Sequence, residues 1–141
     1  AHTSPAFKSA LESAKALVFC PSNPIVSLGP ILSIAGVLQS IKAMQGPRVA
    51  ISPIVGGQAL RGPAAKMLQE LGDEVTPVAV ARRLSEICDV FVLDMQDARY
   101  LEDIKAMGLE AVLLDTIMDT EKARKRLGNE IIKIIQDRLP N

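Results

Sequence analysis

Two short apolar runs, each leading into a proline-framed turn that closes on Gly-Pro, constrain this chain more than any other feature. The turns are CPSNPIVSLGP, Cys20 to Pro30, and SPIVGGQALRGP, Ser52 to Pro63. The runs before them, Ala16 to Cys20 and Arg48 to Ser52, read as strands. Each Gly-Pro opens an amphipathic stretch. Proline suits a first helical position, because the N–H it lacks had no intrahelical partner. In an open α/β sheet such turns gather at the carboxyl ends of the strands, where ligands bind. Free N–H groups and the helix dipole favour an anion there, and two such turns predict a diphosphate site.

Around these turns the pattern alternates between helix and strand. Phe7 to Lys15 is amphipathic, with Phe7, Ala10, Leu11 and Ala14 on one face. Pro30 to Met44 reads as one helix through Ile31, Ile34, Ala35, Leu38 and Ile41, stopped by Gly46-Pro47. Pro63 to Leu71 follows, with Gly72 as its C-cap. Glu74 to Val78 has two readings: an edge strand that tolerates Pro77, or a loop in which Thr76 caps a helix running to Cys88. Val90 to Asp94 and Glu110 to Asp115 are strands, separated by a helix from Tyr100 to Met107 that Gly108 ends. Thr120 to Leu139 is a long last helix. Four parallel strands with interleaved helices predict a doubly wound, Rossmann-like sheet with helices on both faces.

Composition narrows the function classes. At 141 residues the chain is the size of one domain and can bury a proper core. Lysine plus arginine equal aspartate plus glutamate at 16 each, so no net field recruits nucleic acid or an anionic membrane. With three Phe, one Tyr and no Trp, stacking platforms for single strands are absent. Cys20 and Cys88 lie far apart without metal-ligand spacing and read as half-buried thiols of a reduced, cytoplasmic protein. The single histidine, His2, excludes a His-based metal site or triad. No segment is apolar enough over bilayer length to span a membrane.

Each polar residue in the turns has a structural reading and a functional one. Asn23 suits local hydrogen bonding in a turn, and Ser22 and Ser27 can cap backbone groups. Gly56-Gly57 supplies positive φ. Arg61 is either a solvated charge or a phosphate partner, for which a planar guanidinium is well shaped. Asp94 and Asp115 each end a strand, where a carboxylate commonly caps the next helix, and Asp97 and Asp119 can serve the same end. The basic run Lys122, Arg124, Lys125, Arg126 reads as the solvated face of the last helix, and Lys66 likewise faces solvent. Met95, Met107 and Met118 read as packing residues.

Cys20-Pro21-Ser22-Asn23-Pro24 with Ser27-Leu28-Gly29-Pro30-Ile31 resembles the first signature of the 2-phospho-L-lactate transferase (CofD-like) family. Ser52 to Gly57 with Arg61-Gly62-Pro63-Ala64 resembles the second, and Leu93-Asp94 with Asp97-Ala98, then Asp115-Thr116 with Met118, fall in the family's order and spacing. Gln58 stands where the family more often carries lysine. The resemblance implies a transferase that moves a phospholactyl-type group from a guanosine-diphosphate-linked donor to an 8-hydroxy-5-deazaflavin, releasing GMP, in coenzyme F-420 biosynthesis. It implies donor binding by Ser22, Asn23, Pro24, Ser27, Gly29, Ser52, Gly56, Gly57, Arg61 and Gly62. The family is about twice this length. Residues 1–141 are therefore expected to be the carboxyl-terminal part of one α/β transferase domain, inactive alone. Magnesium is implied, with its ligands mostly in the amino-terminal half.

Two other classes fit the residues. One is a nucleotide- or sugar-phosphate-binding regulator without chemistry. The family's cell-wall regulators carry a Gly-Ser-rich turn in place of Ser22-Asn23-Pro24, which argues against that branch. The other is an interaction or homodimerisation domain, since Ile31, Leu32, Val37 and Leu38 cover more than one face of their helix and need burial.

Overall fold

The computed structural model describes residues 2–59 and 62–140. Among the described residues six strands form: β1 (Leu17–Phe19), β2 (Arg48–Ile51), β3 (Ile54–Val55), β4 (Gln58–Ala59), β5 (Val90–Asp94) and β6 (Glu110–Leu114). The α-helices are α1 (Pro5–Ser13), α2 (Gly29–Leu32), α3 (Val37–Lys42), α4 (Ala64–Glu70), α5 (Pro77–Leu84), α6 (Leu101–Lys105) and α7 (Glu121–Gln136). A π-helical turn spans Pro24–Leu28 and a 3-10 segment Met95–Tyr100. Four strands form one parallel sheet in the order β1-β2-β5-β6, and β3 and β4 make a separate antiparallel hairpin.

The architecture is the expected Rossmann-like α/β sheet with helices on both faces. Among the described residues its strand order never reverses. Parallel crossovers share one hand, so steps in one direction lay their helices on one face. That face buries Phe19, Ala50, Phe91 and Leu93 under α1, α3, α4, α5 and α6, through Leu11, Ile41, Leu68, Val80 and Ile104. The other face, Val49, Ile51, Val90 and Val92, is covered by α7 through Leu127, Ile131 and Ile134. β5 is buried at all five positions, as a central parallel strand flanked by helices must be. β1 is a three-residue edge strand, only partly buried, rather than the five-residue run buried on both faces that its apolar sequence predicts.

Other expectations shift at their ends. Helical structure begins at Pro24, not Pro30, and the helix read as Pro30 to Met44 is two, α2 and α3. The break falls at Gly36, whose φ of 87° is left-handed and costs a residue with Cβ dearly. Thr76 caps α5, its hydroxyl accepting from Ala79 N at 3.3 Å, so Glu74 to Thr76 is the capping loop, Pro77 and Val78 open the helix, and no edge strand forms there. Gly72 ends α4 with positive φ, its N–H and that of Asp73 returning to Gln69 and Leu68 carbonyls.

At the amino end of the sheet the Arg48 guanidinium grips Asp89 with two bonds, of 2.9 and 2.5 Å. That hydrogen-bonded pair holds the Asp89 carboxyl below the usual carboxylate range. Gly46 is required there for a different reason: a Cβ would lie 1.7 Å from the Lys15 carbonyl oxygen. The two thiols differ from the half-buried pair expected. Cys20 is exposed, whereas burial pushes the Cys88 thiol up to about 12.

Candidate functional site

The two proline-framed turns follow β1 and β2, which are neighbours in the sheet, so the fold brings them together at its carboxyl edge. In the first, buried Asn23 uses its Oδ1 to accept from Ile25 N at 2.9 Å and Val26 N at 3.3 Å. The Asn23 carbonyl accepts from Ser27 N and Leu28 N, and Gly29 N donates to the Pro24 carbonyl. Every N–H from Ile25 to Gly29 is therefore occupied. Gly29-Pro30 lies inside a continuous helical path and does not present the free helix end that its sequence predicts. Asn23 Nδ2 reaches Met67 Sδ of α4 at 3.4 Å, tying the first turn to the element that follows the second. Pro24 is buried, Ser22 and Gly29 are half-buried, and Ser27 is exposed.

The second turn is a hairpin. Gly56 and Gly57 have φ of 57° and 78° and link β3 to β4 as a two-residue loop. Both central residues in the left-handed region make this a type I′ turn, the geometry for which paired glycines are best suited. Ser52 is buried; its Oγ accepts from Ile54 N at 3.1 Å and donates to Ile54 O at 3.0 Å. Gly62 has φ of 72° and is exposed. Arg61 lies outside the described residues. α4 starts at Ala64, and Pro63 precedes its first residue.

A third wall completes the edge. The turn after β6, Asp115 to Thr120, is held from both sides. Buried Asp94 at the end of β5 accepts from Thr116 N at 2.9 Å and Thr116 Oγ1 at 3.0 Å through one oxygen, and from Gln96 N at 3.0 Å through the other. From α7, Arg126 donates to the carbonyls of Asp115 at 3.0 Å and Ile117 at 3.2 Å and pairs with the Asp115 carboxylate at 2.9 Å. Between the three turns opens a cleft of about 450 Å³ lined by Pro21, Ser52, Pro53, Thr116 to Asp119 and Arg124. Prolines, Ile117 and Met118 make its walls apolar, and Arg124 and Asp119 place one charge of each sign at it. A few polar groups converging on an apolar cleft at a strand edge are the general form of a small-molecule site.

Of the residues singled out from the sequence, Ser52 lines this cleft directly; Ser22, Asn23 and Pro24 follow Pro21 in its first wall. Gly56 and Gly57 belong to the hairpin that the second wall leads into. Of the third wall, Thr116 and Met118 were marked by the resemblance without a role, and Arg124 was missed because it reads as one charge on a solvated helix face. Topology alone puts β6 beside β5 and swings that turn into the cleft. Met95, read as packing, is 63% exposed.

Asp94 caps the following segment as expected, but Asp97 does not cap. It is 1% exposed, and its Oδ2 accepts from Gly56 N at 3.0 Å, across from the hairpin. Its Oδ1 is buried without a partner. Burial pushes its carboxyl above the usual carboxylate range; the Gly56 N–H works against that, and the Asp94 charge adds to it.

Residues 1–136 match the profile of the family described as 2-phospho-L-lactate transferase CofD. The chain belongs to this family. It is 37% identical over 125 residues to a 2-phospho-L-lactate transferase of Methanococcoides burtonii, covering 89% of this chain and 40% of that protein. It is 34% identical over 138 residues to a phosphoenolpyruvate transferase of Streptomyces griseus, covering 97% of this chain and 43% of the relative. A 2-phospho-L-lactate transferase of Methanocaldococcus jannaschii is 35% identical over 124 residues, 88% of this chain and 38% of its own. The chain thus spans about two-fifths of the length of these relatives.

Asp94, Asp97 and Asp115 at this edge do not form a cluster that fits the magnesium ion implied by the resemblance. Asp94 has both oxygens in hydrogen bonds, Asp97 has one, and Asp115 is paired with Arg126. No group of three or more His, Cys, Asp or Glu among the described residues is placed to hold a metal. Nor is any helix among them long and apolar enough to cross a membrane.

Proposed function

We propose that this chain is the donor-binding, carboxyl-terminal part of a transferase of coenzyme F-420 biosynthesis. The observation that carries this is the cleft: it joins both signature turns of a family whose relatives are named for phospholactate and phosphoenolpyruvate transfer. In the reaction, a hydroxyl oxygen of 8-hydroxy-5-deazaflavin bonds to the phosphorus that bears the three-carbon acid. The phosphorus–oxygen bond to GMP breaks, and the hydroxyl proton leaves. Such transfer depends on in-line positioning and charge stabilisation more than on covalent chemistry.

The residues of the cleft divide that work. Among the described residues Arg124, at the start of α7, is the cleft's cation for donor phosphate, and the positive end of that helix dipole adds to it. Pro21, Pro53, Ile117 and Met118 supply an apolar wall that excludes water. The first turn, with the N–H groups of Ile25 to Gly29 already bonded, acts there as a rigid wall and leaves anion contacts to Ser22 and Asn23. Magnesium is held by residues outside this chain, and the enzyme is cytoplasmic.

The test uses the full-length gene product with hydroxydeazaflavin, magnesium and each guanosine-diphosphate-linked three-carbon acid. A flavin product heavier by one phospho-acid unit is expected, and the productive donor identifies the acid. Folded protein that binds GDP but forms no product with any donor overturns the transferase and leaves a nucleotide-binding regulator.

A further inference from the structure

We infer that Asp94 and Asp97 are positioning residues that hold the third wall of the cleft and the hairpin adjoining its second wall at a fixed separation, from one short segment at the end of β5. The inference rests on the donor cleft proposed above and assigns it a scaffold. β5 lies between β2 and β6 in the sheet, so its carboxyl end is the one place from which a short side chain reaches both neighbouring turns. Asp94 binds the N–H and hydroxyl of Thr116 on the β6 side. Asp97 binds the N–H of Gly56 on the β2 side, from 41 residues away in sequence.

Capping alone does not account for the pair. An N-cap needs one acceptor and tolerates Ser or Asn equally well, yet two carboxylates are buried here, at 2% and 1% exposure. The Asp94 charge opposes ionisation of the buried Asp97, and Asp97 keeps an oxygen with no partner. Buried polar groups left unsatisfied call for a specific explanation, and this one holds a loop whose backbone has no other long-range polar anchor among the described side-chain bonds. The Gly56-Gly57 turn is a two-residue loop on a two-stranded ribbon whose apolar anchor is the buried Ile54, and Asp97 supplies its polar one.

The chemistry of the two sites separates the variants. Asp97→Asn retains an oxygen to accept from Gly56 N. Asp94→Asn cannot serve both sides, because its amide nitrogen would face either the Thr116 N–H or the Gln96 N–H. In the full-length gene product, Asp97→Ala should speed amide exchange at the Gly56 hairpin and weaken GDP about tenfold, the factor carried by 1.4 kcal/mol. Its kcat at saturating donor should stay within about twofold, the signature of lost positioning for binding. Asp97→Asn should restore both. Asp94→Asn should produce the same loss with faster exchange at Thr116 to Asp119.

Faster exchange with unchanged GDP affinity would reduce the pair to a structural role and overturn the inference. A kcat that collapses in Asp97→Asn as in Asp97→Ala would do so too, by placing the carboxylate in the chemistry. If Asp97→Ala fails to fold, the contrast between Asp97→Asn, near wild type, and Asp94→Asn, weakened, decides the matter. Wild-type protein that binds no GDP refutes the donor reading instead. Exchange then decides alone: faster exchange at Gly56 and at Thr116 in the respective variants upholds the bracket, and unchanged exchange removes it.

Discussion

The two signature turns look alike in sequence and are built differently. The polar groups of the first are closed locally: Asn23 satisfies its own turn through side chain and carbonyl, and its amide makes the one longer-range side-chain hydrogen bond among the described residues, to Met67. The second depends on a distant partner, since the hairpin around Gly56-Gly57 is pinned by a buried aspartate from the end of another strand. A local turn keeps its shape whatever surrounds it. A pinned turn is only as well placed as its anchor, so the second turn is where ligand binding and fold stability are most tightly coupled.

The largest effect should come from the hairpin itself. Replacing Gly56 and Gly57 together by alanine puts two Cβ atoms at left-handed φ, costing about 1–2 kcal/mol each. Thermal unfolding should fall by several times the scatter of surface substitutions. An unchanged midpoint would mean that the hairpin does not persist in solution. Next, Asn23→Ala should cost about 1 kcal/mol, the usual loss of an N-cap. Asn23→Asp should recover most of it, because its carboxylate still accepts from Ile25 and Val26 and loses only the contact to Met67. Equal losses in the two variants would show that the first turn relies on Met67 and is not local after all.

A third effect is smaller and depends on pH. The Asp97 carboxyl is raised in the fold, so its contribution to stability is complete below the unfolded value near 3.8 and is lost as pH rises through the folded one. Burial raises it most, Asp94 adds to that, and the Gly56 N–H and the Arg99 charge oppose them. Asp97→Asn should therefore unfold at a higher temperature than wild type at neutral pH, with the gap closing in acid. A gap that widens in acid contradicts the buried, costly carboxylate. The amino end of the sheet supplies the control of opposite sign. Asp89 is lowered by Arg48, so its contribution is present above 3.8 and fades as pH falls through the folded value. Asp89→Asn should lose stability at neutral pH and converge with wild type in acid.

These differences also explain what could be read from the chain. The four sheet strands were legible because apolar runs of that length between turn residues have few other uses. Thr76 before Pro77 was legible as one of two readings, because an N-cap beside a first-turn proline is a local pattern. The break at Gly36 was not, since Ile31 to Ile41 keeps helical spacing across it and the interruption lies in one backbone angle. Gly56-Gly57 was legible as a turn but not as a pinned hairpin, because its anchor Asp97 reads locally as a cap. The third wall of the cleft was marked only by the resemblance at Asp115-Thr116 and Met118, and nothing local placed it beside the other two. Thr116, Met118 and Arg124 become site residues only because β6 docks beside β5 and α7 returns across the sheet.

The central claim is that donor occupies the cleft between the three turns, and amide exchange of the full-length gene product with and without GDP tests it most directly. Slower exchange is expected in three separate stretches: after Pro21, around Ser52 to Gly57, and from Thr116 to Arg124. Protection that falls elsewhere in the protein while these three stretches exchange as before would contradict the account.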